Sequence, residues 1–284
     1  MSARMLLCTD LDRTLIPNGP APESPESRQS FARCAARADV TLVYVSGRHL
    51  KLVERAIATY SLPKPAFIIA DVGTSIFSWH DDRWQPWPDW EREIGQDWSG
   101  RTGNDVRAVL AGTKSLRLQE RARQGRHKLS YYVPAKLRRE PIAAEIGQRL
   151  QAAGLHSRLI WSLDEPAGIG LLDVLPERAS KLHAIQFLRA RTGFGEAEVL
   201  FAGDSGNDLE VLTSGLPSVL VANASDEIRQ AAQALAHRDG HPDRLYLARG
   251  WCRMNGNYSA GILEGIAHFM PHMIEACEGS ADAD

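Results

Sequence analysis

The sequence predicts an α/β protein: a split Rossmann-like core with a parallel sheet, plus an inserted α+β domain. Three observations carry this expectation. Apolar runs alternate with helical segments through the first eighty residues, stop, and resume after residue 172. The runs VTLVYVS (40–46) and VLFAGDS (199–205) are continuously apolar before their polar ends, as in strands covered on both faces. Between residues 83 and 172 the character changes to strand-rich segments around one long helix.

Taken in order, MLLC (5–8) is a short buried strand, and PNGPAPESPES is a loop because Pro, Gly and Ser crowd it. SRQSFARCAARA reads as a helix, VTLVYVS as a strand, HLKLVERAIATY as a helix and AFIIADVG (66–73) as a strand. This β-α-β-α-β order implies parallel pairing with right-handed crossovers. The stretch 79–98 holds five of the seven tryptophans, expected to pack between core and insert. The insert offers strands HKLSYYV, HSRLIWS and GLLDVLP around the helix PIAAEIGQRLQAAG. The core then resumes with SKLHAIQFLRARTG, VLFAGDS, NDLEVLTSG, SVLVAN, SDEIRQAAQAL, LYLA and SAGILEGIAHFM as alternating helices and strands. The expected division is 1–82 and 173–284 for the core and 83–172 for the insert.

With 284 residues and 44% hydrophobic content, the chain can bury a substantial core. Its net charge of −2 gives no general pull toward nucleic acid or membrane. The basic run RLQERARQGRHK (117–128) reads as a solvated face. Four scattered cysteines, Cys8, Cys34, Cys252 and Cys277, form no zinc pattern and suggest a reducing compartment. His268 and His272 are separated by Pro271 and lack a nearby carboxylate, so they read as surface residues. No signal peptide or apolar run of about 20 residues is expected, which points to a cytoplasmic protein.

The predicted strand ends converge on one sheet edge, where open α/β sheets bind ligands. The first strand delivers Asp10 and Asp12, the second Ser46, Gly47 and Arg48, and the resumed sheet Asp204 and Asp208; Lys181 opens a helix nearby. Several carboxylates without thiol or imidazole call for a hard cation, and Mg²⁺ fits. Ser46 and Lys181, a hydroxyl and an ammonium, suit the oxygens of a phosphoryl group. Paired carboxylates then divide the labour: Asp10 as a nucleophile forming an aspartyl-phosphate, and Asp12 as general acid and base.

DLDRT, VSGR, Lys181 and GDSGND resemble the four motifs of haloacid dehalogenase (HAD) phosphatases, and the insert resembles the cap of their subclass II. HKLSYYV, LLDVLPERASK, FAGDSGND and SAGILEGIAHF resemble, in order, segments of the sucrose-6-phosphate phosphatase family. The resemblance implies that Asp10, the backbone carbonyl of Asp12, and Asp204 hold Mg²⁺, with Asp208 supporting them and Asn207 close by. It also implies that Gly47 and Arg48 follow the second motif, and that Lys128, Ser130 and Asp173 grip sugar hydroxyls. Arg13 and the tryptophan-rich stretch depart from the family pattern.

The expectation is therefore a Mg²⁺-dependent phosphomonoesterase acting on a sugar phosphate, with sucrose 6-phosphate the first candidate. Mannosylfructose phosphate, or transfer of the phosphoryl group to a sugar instead of water, are the alternatives. A monomer is expected, with a sugar-phosphate synthase as a conceivable partner. A non-catalytic receiver-type module is disfavoured, because such modules lack the second aspartate and a large insert.

Overall fold

The computed structural model describes residues 4–136, 138–164 and 167–278. The chain begins with β1 (Met5–Thr9), α1 (Ser27–Ala35), β2 (Val40–Val45), α2 (Leu50–Tyr60) and β3 (Phe67–Ala70). A hairpin of β4 (Ser75–His80) and β5 (Arg83–Pro86) follows, then α3 (Pro88–Gly95). The insert contributes α4 (Gly103–Val109), β6 (Arg117–Leu118), β7 (Leu129–Pro134), α5 (Arg139–Ala152), β8 (Ser157–Asp164) and β9 (Ile169–Pro176). The core resumes with α6 (Lys181–Thr192), β10 (Val199–Gly203), α7 (Leu209–Leu212), β11 (Ser218–Leu220), α8 (Asp226–Arg238), β12 (Leu245–Leu247), α9 (Ser259–Phe269) and α10 (Pro271–Glu278).

Eight strands form one sheet in the order β12-β11-β10-β1-β2-β3-β4-β5. The first six run parallel, and β4 and β5 add an antiparallel edge. The chain leaves β1 in one direction and returns through β10 in the other, so the switch point lies between these two central strands. Both faces are covered: Leu7, Tyr44 and Ile68 pack on one side with Ile262 and Ile266, while Leu6, Val43 and Ile69 pack on the other with Ile185 and Leu188. That two-sided burial explains the unbroken apolar runs.

A second, antiparallel sheet has the order β6-β7-β9-β8. One face carries Leu129, Tyr131, Val133, Leu172 and Val174, packed with Ile142, Ile146 and Leu150 of α5. The period of two turns Ser130 and Asp173 to the opposite face, where they are paired partners across β7 and β9.

The expected break at 83 falls at the turn of the β4–β5 hairpin, and the one at 172 falls inside β9. Residues 83–86 are β5 of the large sheet, paired with β4, and Trp90 and Ile94 of α3 pack in the core cluster. At the other end β9 pairs within the small sheet as far as Pro176. The passage between the two sheets is nearer Gly95–Trp98 and Pro176–Arg178. There the Asp97 carboxylate accepts from Arg178 Nε and from Arg178 N, both at 2.8 Å, tying the two crossings to each other. The strand expected over 66–73 ends at Ala70, and residues 71–73 form a tight turn instead. The tryptophans pack within each unit rather than between core and insert: Trp79 meets Trp84 edge-on and Trp87 stacks on Phe67 in the core, and Trp98 is buried in the insert and donates to Ser157 Oγ at 2.8 Å. Among the described residues no helix is long and apolar enough to cross a membrane.

Candidate active site

Asp10 is the first residue beyond β1, and its N–H still bonds Ala202 O of β10 at 2.9 Å. The switch point therefore fixes its backbone, and its carboxylate is buried at the carboxyl edge. Asp204 stands one residue beyond β10 in the same way. Asp10, Asp204 and Asp208 can each offer an oxygen within 4.8 Å of the others.

Three like charges so close need compensation, and Lys181 supplies part of it. It is 2% exposed, and its Nζ donates to Asp208 Oδ1 at 2.7 Å, Asp10 Oδ1 at 2.9 Å and Asn207 Oδ1 at 2.9 Å. Burial alone would lower its pKa, but Asp10 and Asp208 outweigh that and keep it charged. A lysine at the first position of α6 opposes the helix dipole, and these acceptors account for it. Ser180 caps the helix, its Oγ accepting from His183 N at 3.1 Å.

One ammonium does not balance three carboxylates. Burial, with repulsion from Asp208, pushes Asp10 up to about 7 despite Lys181, and pushes Asp204 up to about 6. Such a donor set, oxygen-only and short of positive charge, fits a hard divalent cation. Asp208 is already committed: its other oxygen accepts from the N–H groups of Asp204 and Ser205 at 3.2 and 3.3 Å. Gly203 makes that clamp possible, because a Cβ there would meet Asp208 Cβ at 2.7 Å.

Asp12 has a separate environment. Its carboxylate lies outside the acidic triad and pairs with Arg48 through two bonds, Nε at 2.7 Å and Nη2 at 2.5 Å. Asn18 Nδ2 adds a third at 2.6 Å. Burial raises the Asp12 carboxyl, but these donors prevail and hold it below the usual range. Ser46 is buried at the end of β2, and its Oγ accepts from Arg48 N at 3.1 Å.

A family model for sucrose-6F-phosphate phosphohydrolase matches residues 3–270. The chain belongs to that family. It is a haloacid dehalogenase-type phosphatase, a phosphoric monoester hydrolase. An HAD-like hydrolase of Nitrosococcus oceani is 52% identical over 95% of this chain and 73% of its own length. A mannosylfructose-phosphate phosphatase of Agrobacterium fabrum is 27% identical over 95% of this chain and 98% of its own. The sucrose-phosphatase of Synechocystis sp. PCC6803, solved with sucrose and phosphate, has a TM-score of 0.70 at 23% identity, covering 94% of this chain and 98% of that one. At that identity it supports the fold.

The sucrose-6F-phosphate phosphohydrolase fold brings Asp10, Ser46, Gly47, Arg48, Lys181, Asp204, Asn207 and Asp208 to the edge expected of them. Arg48 and Asn18 occupy the Asp12 side chain, in keeping with the expectation that gave the cation its backbone carbonyl rather than its carboxylate. One expectation changes in detail. Asn207, expected near substrate, turns its side-chain oxygen to Lys181. Lys128, Ser130 and Asp173 form a separate polar group on the insert. Ser130 Oγ bonds Asp173, and Lys128 Nζ lies 3.8 Å from Asp173 and 3.5 Å from Asp71 of the core.

Three residues escaped the sequence reading. Thr14 Oγ1 donates to Asp204 Oδ1 at 3.1 Å, bracing it from the loop after β1. Asn18 orients Asp12, and its own Oδ1 accepts from Arg13 N at 2.8 Å. Asp71 follows the apolar run of β3, the same signal that marked Asp10 and Asp204.

Proposed function

We propose that this phosphatase is a Mg²⁺-dependent phosphomonoesterase that hydrolyses a disaccharide phosphate, sucrose 6-phosphate first, through an aspartyl-phosphate on Asp10. The observation that carries the reading is the division between two neighbouring carboxylates. Asp10 sits in the cation-seeking triad beside Lys181, while Asp12 sits outside it, paired with the Arg48 guanidinium.

In the first step an Asp10 carboxylate oxygen attacks phosphorus, and the bond to the sugar oxygen breaks. Asp12 gives that oxygen its proton. In the second step Asp12 takes a proton from water, whose oxygen attacks phosphorus and frees Asp10. Lys181 holds Asp10 in line, and Ser46 and Arg48 bind phosphoryl oxygens. Arg48 keeps Asp12 ionised in the unliganded site. Once the guanidinium turns to the phosphate, the Asp12 carboxylate takes up a proton, from solvent or from a phosphate monoanion, and it is this proton that the leaving oxygen receives. Asp10 and Asp204, with the Asp12 carbonyl, would hold Mg²⁺, and Asp208 would orient them. When bound, the ion supplies charge neutralisation for the carboxylates and the phosphoryl group.

Lys128, Ser130 and Asp173 supply donors and acceptors on the face of the small sheet away from its apolar layer, suited to sugar hydroxyls. The full-length likeness to a mannosylfructose-phosphate phosphatase favours that disaccharide phosphate as the second reading. Phosphate release with Mg²⁺ from sucrose 6-phosphate, mannosylfructose phosphate, trehalose 6-phosphate, glucose 6-phosphate and an aryl phosphate tests both. Preference for one of the first two supports the proposal. Equal turnover of glucose 6-phosphate, or phosphate passed to a sugar rather than released, would count against it.

A further inference from the structure

The turn after β3 touches several groups that the phosphoryl pocket needs. Asp71, Val72 and Gly73 have φ of 53°, 61° and 95°, three left-handed residues in succession. A β-branched residue is rarely found there, and such a conformation persists only where its surroundings impose it. The surroundings can be named. Asp71 N donates to Arg48 O at 3.0 Å and Val72 N to Ser46 O at 3.1 Å. Trp90 Nε1 donates to Gly73 O at 3.1 Å. A Cβ on Gly73 would stand 2.4 Å from Ser180 O, so the turn is wedged against the start of α6, where Lys181 begins.

The side chain of Asp71 completes this set of ties. It is directed to the insert, where Lys128 Nζ lies 3.5 Å from its Oδ1. Lys128 is 8% exposed at its side chain, and its other carboxylate neighbour is Asp173 at 3.8 Å. An ammonium has three donors to place, and among the described residues the core contributes one of the two carboxylates it faces. A shift of the insert that moves Lys128 changes the charge facing Asp71, and the turn that carries Asp71 is bonded to the backbones of Ser46 and Arg48.

The geometry points to Asp71 as a positioning residue: its ion pair with Lys128 holds the left-handed turn, and the turn aligns Ser46 and Arg48 for the phosphoryl group. Docking of the insert is thereby registered in the chemistry, apart from any contact the insert makes with the sugar. This rests on the phosphomonoesterase reading above.

The test uses an aryl phosphate, which carries no sugar for the insert to grip. Asp71→Asn removes the charge while leaving a residue that tolerates the left-handed region. Turnover (kcat) on the aryl phosphate should fall by about 10- to 100-fold, the cost of small misplacements of binding groups. Lys128→Gln should fall by a similar factor, and the double variant should be no worse than either single one, because both break one interaction. The melting temperature, read for each variant, should stay well above the assay temperature. Aryl phosphate turnover kept within about twofold in Asp71→Asn, or losses that multiply in the double variant, would overturn the inference. So would a loss confined to sugar phosphates, which would make Asp71 a sugar contact. Absence of phosphate release by the unmodified enzyme from every monoester would overturn the phosphomonoesterase reading and this inference with it.

Discussion

The core and the insert each hold a buried lysine among carboxylates, and the two are built differently. Lys181 makes three bonds of 2.7 to 2.9 Å and is locked before any ligand arrives. Among the described residues, Lys128 has carboxylates only at 3.5 and 3.8 Å. Charge attraction to Asp71 persists at such a distance while the hydrogen bonds weaken, so Lys128 can hold the turn and still offer donors to a ligand oxygen. The contrast assigns the two regions different work: the core is preorganised for one chemistry, and the insert holds loosely paired groups that a polyhydroxylated ligand can complete.

Substitutions can break this contrast, and the largest effect belongs to the nucleophile. Asp10→Asn should lower turnover of every phosphate monoester by roughly 10⁴-fold or more, with the fold intact by circular dichroism. Lys181→Gln should follow, costing activity on all substrates and about 3 kcal/mol of stability in urea unfolding, since it leaves buried carboxylates uncompensated. Arg48→Lys keeps the charge but loses the two-pronged pair with Asp12. It should cost roughly 10- to 100-fold in kcat/KM on sugar and aryl phosphates alike.

The charge-poor triad also predicts a pH-dependent response to metal. The folded chain keeps a proton on Asp10 up to about pH 7, whereas an ordinary aspartate near 3.8 has already lost it in the unfolded chain. The unfolded state then binds fewer protons, so this contribution to stability falls as pH rises from about 4 to about 7 and is level above. Asp204 acts in the same direction up to about 6. The gain in melting temperature on adding Mg²⁺ should therefore be small at pH 5 and larger at pH 8, and removal by EDTA should reverse it. An equal gain at both values would argue against the triad as the metal site.

Legibility differed between the two regions for physical reasons. The parallel strands of the core were visible because burial on both faces enforces continuous apolar runs, and strand ends at one edge located Asp10, Ser46 and Asp204. The β4–β5 hairpin was not visible, because SIFSWH and RWQP mix Trp, His and Arg without clean alternation. That is why the break expected at 83 fell inside the large sheet. Asp71 was absorbed into the strand AFIIADVG, since Val72 is a strand former and only tertiary contacts force it into a left-handed turn. Thr14 and Asn18 lie in a loop whose return path to Asp204 and Asp12 no local pattern specifies.

The division between core and insert is tested most directly by Asp173→Asn, with kcat/KM measured on sucrose 6-phosphate, mannosylfructose phosphate and an aryl phosphate side by side. The account predicts a roughly tenfold loss on the preferred sugar phosphate, about one charged hydrogen bond, with the aryl phosphate unchanged. An equal loss on all three, or no loss on any, would contradict it.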